Sequence, residues 1–341
     1  MTRAIVDSYR HRTGEHCAST ALRNVLAHNG IELSEGMVFG LASGLGFFYV
    51  NLPGVSPSRL FHGRTRTLES DLGLNTGLPL ADLPEESDDV AWQDLRASIE
   101  RGQPVMVSTD TFYLRYHHTS SHFPGHRCVV VGYDDEREIV WIADRKYDEY
   151  QECTFEELRH ARNAPDYPMT SENQRGVVQG ELVLGRPLGE AVLAALERNA
   201  RAMLEPGDEP LPSGIPAMRV LASELADWKD AEDWSWAARF GYQVVVKRGA
   251  GGSFFRSLHA DFLRESAAHV PGLADALPAR RMDEIAAGWR GLAAVLKEQS
   301  ERETCDPSLF EEAGRRIGRL AEAEQAYFED ALSFCEGRRS A

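Results

Sequence analysis

Apolar residues along the first 165 positions fall into short runs of two kinds. Ala18, Ala21, Leu22, Val25 and Leu26 recur at the spacing of one helix face, and Gly30 follows as a C-terminal stop. The stretch "LSEGMVFGLASG" predicts a second helix with Ser34 as its N-cap, and "DDVAWQDLRASIERG" a third that ends at Gly102. A strand is expected near residues 47–50. The β-rich runs "PVMVSTD", "RCVVVGY" and "IVWIAD" predict three more, the last two joined by a hairpin around Asp135.

Beyond residue 176 the pattern changes to long helical periods, near 187–204, 216–229, 253–269, 279–299 and 307–334. One β-branched run, "YQVVVKRGAGGSFFR", reads as a strand that meets a glycine loop and then a helix. The polar, proline-bearing stretch 164–176 separates the two regimes. The expected organisation is one domain over residues 1–165 and a mainly helical domain over 166–341. No internal repeat is visible.

Composition narrows the function classes. With 43% hydrophobic and 26% charged residues the chain is an ordinary globular one, long enough for two domains. A formal charge of −16, shared between the halves, argues against nucleic acid as a partner. No run approaches the roughly 18 apolar residues of a membrane span, and the first 16 residues lack the apolar core of a signal peptide. The expected location is the cytoplasm, away from membranes, and a homo-oligomer is compatible with the sequence. Five cysteines without a CxxC pair fit reduced thiols better than a disulfide framework.

Cys17 opens the first helix. A helix N-terminus favours thiolate through its unsatisfied N–H groups, and the N–H of Cys17 itself could help hold an oxyanion. The alternative is that Cys17 is a small buried apolar residue, as free cysteines commonly are. A nucleophile needs a base and an orienting group, and "GHRCVVVGYDDEREIVWIAD" supplies His126 before one strand and Asp144 at the end of the next. A hairpin loop of three or five residues sets His126 opposite Asp144. One of two or four residues sets Arg127 there instead.

These motifs carry a family resemblance. "GEHCASTALRNVLAHNGIELSEGMVFGLASGLGFFY" resembles the opening of the butirosin biosynthesis protein H family, and "GHRCVVVGYDDE" with "WIAD" resembles its base-bearing segment. "KRGAGGSFFRSLHADFLRESA" and the helices after it resemble the uncharacterised helical domain that commonly follows. The resemblance implies an α+β fold with a papain-like, cysteine-nucleophile domain built on an antiparallel sheet. It also implies an acyltransferase that moves an acyl or aminoacyl group from an acyl carrier protein or CoA-like thioester to a small-molecule amine or hydroxyl in secondary-metabolite biosynthesis, the helical domain shaping the donor and acceptor side. Cys17 is then the nucleophile, His126 the base and Asp144 its orienter. The donor is phosphopantetheine-linked, with no tightly bound cofactor. Papain-like enzymes place a glutamine six residues before the cysteine; here that position is His11, and His16 is a second oxyanion candidate. Two rival readings are a cysteine peptidase or amidase, and a non-catalytic carrier-binding module.

Three further signals bear on substrate. Lys247, Arg248 and Arg256 flank Gly251 and Gly252, which suits either a phosphate-binding loop or a tight packing turn. Phe47, Phe48 and Tyr49 are candidate pocket walls or core. His117, His118, His122 and His126 invite a metal reading, but Pro124 and Gly125 interrupt any helical site. The expectation is a loop lining the site mouth, without metal.

Overall fold

From its N-terminus the chain runs β1 (Arg3–Ile5), α1 (Cys17–His28), α2 (Glu35–Leu41), β2 (Leu45–Asn51), β3 (Arg59–Arg64), α3 (Leu68–Thr76), β4 (Leu80–Leu83), α4 (Asp88–Glu100) and β5 (Val105–Thr109). It continues through β6 (His126–Asp134), β7 (Ile139–Ala143), β8 (Gln151–Thr154), α5 (Phe155–Arg162), β9 (Arg175–Val178), α6 (Leu188–Leu204), α7 (Gly214–Glu224) and α8 (Trp234–Val246). The last elements are α9 (Arg256–Ser266), α10 (Leu273–Ala276), α11 (Ala279–Ser300) and α12 (Pro307–Arg339). This computed structural model describes residues 3–85, 87–164, 173, 175–178, 182–206 and 211–339. Most of the connection expected at 164–176 lies outside the described residues.

The protein is α+β, with antiparallel sheets and a helical C-terminal part. Its chain divides into two compact units: residues 1–38 with 72–185, and 39–71 with 186–341. Each unit is therefore made of two chain segments, and the units cut across a sequential division at 165.

Local chemistry explains the element boundaries of the first unit. Ser34 Oγ accepts from Met37 N at 3.0 Å and caps α2. Ser87 caps α4, whose first turn carries Asp88 and Asp89 against the helix dipole. Gly30 and Gly102 take positive φ, +85° and +76°, just past the ends of α1 and α4, a conformation that costs glycine least. Thr154 and Glu157 form a reciprocal capping box at α5.

The sheet of this unit has the order β4-β9-β5-β6-β7-β8, all antiparallel pairs. β6 is its longest strand and is buried along nearly its whole length. β5 pairs with residues 126–130 of β6, and β1 takes over that edge at residues 132–134.

The β6–β7 hairpin departs from both registers considered from the sequence. Its loop is the four residues 135–138, centred later than Asp135, so Asp134 pairs with Ile139 and Gly132 with Trp141. A bulge between Val130 and Gly132 then shifts the register by one, giving Val130 opposite Ile142 and Val129 opposite Ala143. Extended by one residue, this register sets Asp144 opposite Cys128. His126 lies two positions from Cys128 and hence on the same face, within diagonal cross-strand reach. Without the bulge, Asp144 would face Val129 and fall on the opposite side from His126.

In the second unit β2 and β3 form a two-stranded antiparallel sheet, packed with α7 and α8, while α11 and α12 pack with α6 to α9. The strand-like run "YQVVV" is the last part of α8, not a strand. Val244 and Val245 are buried there, and their burial on a helix packed with α11 overrides β-propensity. The unit's aromatic core joins Phe47, Phe61, Phe254 and Trp289, with ring centroids 4.3–6.3 Å apart. Inside it lies a fully buried ion pair. Arg256 Nε and Nη2 donate to Glu324 at 2.9 and 2.6 Å, and Nη1 donates to the carbonyls of Gly63 and Phe254.

Beside the bulge, Gly132 lets β1 and Trp141 approach closely. A Cβ there would lie 2.7 Å from Ala4 O and 2.9 Å from Trp141 Cε3. Gly132→Ala is expected to destabilise the protein by about 1–3 kcal/mol, as overpacking does. The midpoint of urea unfolding checks this; an unmoved midpoint would show that β1 gives way without cost.

Candidate active site

His16 and Cys17 sit where an extended segment turns into α1. His16 is the N-cap, extended at φ −122°, and its Nδ1 accepts from Ser19 N at 3.3 Å. That leaves the N–H groups of Cys17 and Ala18 without intrahelical partners. The turn is pinned from α2 by Glu35, which is buried. Its Oε1 accepts from His16 N (2.8 Å), Ser19 Oγ (2.8 Å) and Thr20 Oγ1 (3.0 Å), and its Oε2 from Glu15 N (2.9 Å). Arg23 faces the same carboxylate at 3.8 Å. Gly14 permits the approach, because a Cβ on it would collide with Thr20 Oγ1 and Glu35 Oε2.

On the sheet, His126 Nε2 donates to Asp144 Oδ2 at 2.8 Å, so the ring's Nδ1 is the nitrogen left for the Cys17 thiol, with which the imidazole hydrogen-bonds. All three side chains are buried. Burial opposes ionisation of Cys17, yet the His16 and His126 imidazoles overcome it and hold the thiol well below its ordinary pKa. His126 loses to burial as well, but the Asp144 charge and hydrogen bond raise it to about 10. Asp144 is held far below the carboxylate range despite burial, chiefly by His126 and then by His117. The cluster is thus a thiolate, an imidazolium and a carboxylate in a row. By contrast, burial pushes the Cys128 and Cys153 thiols up.

Two residues beside Asp144 gave no sign in the sequence of meeting it. Tyr116 and His117 belong to a 3-10 turn, Arg115–His117, in the β5–β6 connection. Tyr116 donates its hydroxyl to Asp144 Oδ2 at 3.0 Å. His117 Nε2 lies 2.9 Å from the same oxygen and is kept neutral mainly by burial. The other histidines of the stretch diverge. His122 Nδ1 meets Asp110 Oδ2 at 2.7 Å and stacks on Phe112, whereas His118 takes positive φ at the end of the turn.

Of the two oxyanion candidates, His16 adjoins the thiol as the helix cap. His11 is occupied as a tie: its Nε2 donates to Tyr147 O at 2.8 Å and its Nδ1 faces Asn24 Nδ2 at 3.4 Å. Glu35 was legible only as an ordinary first-turn acid of α2. The candidates in the second unit are mostly structural. Phe47 and Tyr49 are core residues, Tyr49 stacking on Trp228 and donating to Glu224. Phe48 lines a cavity of about 160 Å³ with Arg64, Arg66 and Met203.

The glycine loop requires a correction. Gly251 and Gly252 do take positive φ, at +60° and +68°. Arg256, however, has no exposed surface and spends its donors on Glu324 and two carbonyls, so it cannot meet a phosphate. Arg248 lies over the Phe240 ring and bonds Gln243, and Lys247 lies over Tyr242. This is a packing turn.

Fold and site together define an α+β protein in which a buried cysteine at the start of α1 meets a buried histidine and aspartate at the β6–β7 pair. Residues 16–145 match the family model described as butirosin biosynthesis protein H, N-terminal, and residues 156–331 match that described as a domain of unknown function, DUF4872. The chain belongs to the butirosin biosynthesis protein H-like family, in which these two domains follow one another. No curated protein matches the chain. Among the described residues no helix is long and apolar enough to cross a membrane.

Glu35→Ala leaves four buried or half-buried donors without their acceptor. The expected loss of stability is about 2–4 kcal/mol. Alkylation of Cys17 should slow as well, since the cap that positions it loosens. Chemical denaturation and timed iodoacetamide labelling read the two effects; unchanged labelling would show that α1 holds Cys17 unaided.

Proposed function

We propose that the protein is a cysteine-dependent acyltransferase with a papain-like catalytic domain, acting in a biosynthetic pathway. The observation that carries this reading is the run Cys17, His126 Nδ1, His126 Nε2 and Asp144 Oδ2, set at the start of a helix. Family membership supports a biosynthetic enzyme of this kind.

The residues present suffice for a balanced reaction. The Cys17 thiolate attacks the carbonyl carbon of an acyl thioester, and the negative charge that develops on oxygen meets the N–H groups at the start of α1. As the carbon–sulfur bond to the donor breaks, the leaving sulfur takes the proton of His126 Nδ1. An acceptor amine then attacks the Cys17 thioester. Its proton passes to His126, and Cys17 leaves as the thiolate that began the cycle. Asp144 keeps the imidazole oriented and its charged form stable throughout. A thioester donor suits this nucleophile because exchange between sulfurs is nearly balanced in energy. A phosphopantetheine arm of an acyl carrier protein is the proposed donor, and a small-molecule amine the proposed acceptor.

Intact-mass spectrometry after incubation with acyl thioesters tests the reading. A single adduct with the mass of the acyl group is expected, absent in Cys17→Ser and discharged by amines. An adduct formed from peptides and not from thioesters would replace transfer with proteolysis. Among the variants, His126→Ala should slow acylation by roughly 10²–10⁴-fold, the usual weight of a general base. Asp144→Asn should cost less, because it retains a hydrogen-bond acceptor for the ring. Single-turnover rates decide the order, and a greater loss in Asp144→Asn would mean that the carboxylate's charge outweighs the base.

A further inference from the structure

We propose that His117, His126 and Asp144 constitute a binding site for a divalent transition-metal ion of the zinc class, and that the ion, when bound, silences Cys17. The ligand atoms of these three side chains all lie within 4.8 Å of one another. Two imidazoles and a carboxylate form a donor set that suits zinc and its neighbours rather than calcium or magnesium.

A second observation points to the same place. His117 Nε2 is 2.9 Å from Asp144 Oδ2, yet it has no hydrogen bond, and Asp144 Oδ1 has no partner either. Both side chains are at least nine-tenths buried, with exposures of 9% and 0%. Buried polar atoms are nearly always satisfied, and two orphans facing one cluster ask for a ligand. The hydrogen bond between His126 and Asp144 explains two of the three residues; it leaves His117 unexplained.

The fit requires little movement. Zinc bonds of 2.0–2.2 Å put tetrahedral ligand atoms about 3.3 Å apart. The two nitrogen-to-oxygen separations, 2.8 and 2.9 Å, must open by a few tenths of an ångström. His117 can yield that, being the last residue of a single 3-10 turn. Asp144 Oδ1 or a water completes the coordination.

Binding exchanges a proton for the ion without any change of oxidation state. The metal forms a bond to His126 Nε2, the N–H bond there breaks, and the proton goes to solvent. His126 then carries its one remaining proton on Nδ1, facing Cys17. That proton is no longer transferable to a leaving sulfur, and the ring has no lone pair to take a proton from an amine. The silencing rests on the nucleophile and base roles proposed above, whereas the binding does not.

Titration of the full-length protein with Co²⁺, followed by absorption spectroscopy, separates the two claims. The expected spectrum has the visible bands of four- or five-coordinate cobalt and lacks thiolate-to-metal charge transfer. It persists in Cys17→Ser, and Zn²⁺ displaces it. His117→Gln should weaken binding by on the order of 100-fold, at least the upper end of what an outer-shell partner costs. Zn²⁺ should raise the melting temperature of Cys17→Ser and leave that of His117→Gln unmoved, which also reports whether the variant folds. Charge-transfer bands that vanish in Cys17→Ser would place the ion on the thiol and overturn the site; so would undiminished affinity in His117→Gln or in His117→Asn. Zn²⁺ should also block adduct formation in the wild type, reversibly with a chelator. Binding as described in a protein that forms no adduct even without zinc would leave the site standing and remove the acyltransferase reading alone.

Discussion

One carboxylate determines where the first helix begins. Glu35 gathers two backbone N–H groups and two hydroxyls from residues 15–20, so the extended segment can enter α1 at only one residue. Had α1 started one residue earlier or later, Cys17 would have turned by about 100° around the helix axis and left His126. The thiol's low pKa, its contact with the His126 imidazole and the N–H groups left without helical partners beside it all presuppose this anchor. Gly14 completes it by leaving room that a side chain would fill.

Much of this was legible in the sequence, and what was not shares a cause. Helices such as α1, α4, α6 and α11 lie where apolar spacing and capping residues predicted them, because those signals are local. Cys17, His126 and Asp144 were also singled out as a candidate set, and the structure brings the three together. Their register was not legible. It depends on a bulge at Val131, on the strand that β5 and then β1 pair along one edge and β7 along the other, so it is set by segments far apart in the chain. Glu35 escaped for the same reason, and of His117 only its place in a loop at the site mouth was legible, not its meeting with Asp144, since each acts on a residue that local pattern cannot connect to it. The β-branched end of α8 and the charge of Arg256 misled, because burial against distant partners, α11 and Glu324, decided both.

The two buried polar clusters follow opposite logic. In the second unit every group around Arg256 and Glu324 is answered: two carbonyls, a bidentate carboxylate and the Trp289 indole, which donates to Glu324 at 2.6 Å. Such saturation fixes one arrangement of the core and leaves nothing to react. Around Asp144, Tyr116 and His126 donate to one oxygen, His117 Nε2 lies 2.9 Å from it without a hydrogen bond, and the other oxygen has no partner. An arrangement this uneven does little for stability, and departures from complete satisfaction gather where proteins do chemistry.

The interleaving of the two units sets the timetable on which the protein can become itself. A nascent chain carries Cys17 out of the ribosome early, but the thiol stays an ordinary one until β6 and β7 have emerged to bring His126 and Asp144. The hairpin of β2 and β3 waits longer, since Phe47 and Phe61 have no core to enter until Trp289 arrives. Aromatic strands thus stay uncovered through most of synthesis, a window in which unpaired edges invite misassembly. A chain halted partway would be both unreactive and adhesive, and reactivity appears only once enough of the sequence exists to shield it.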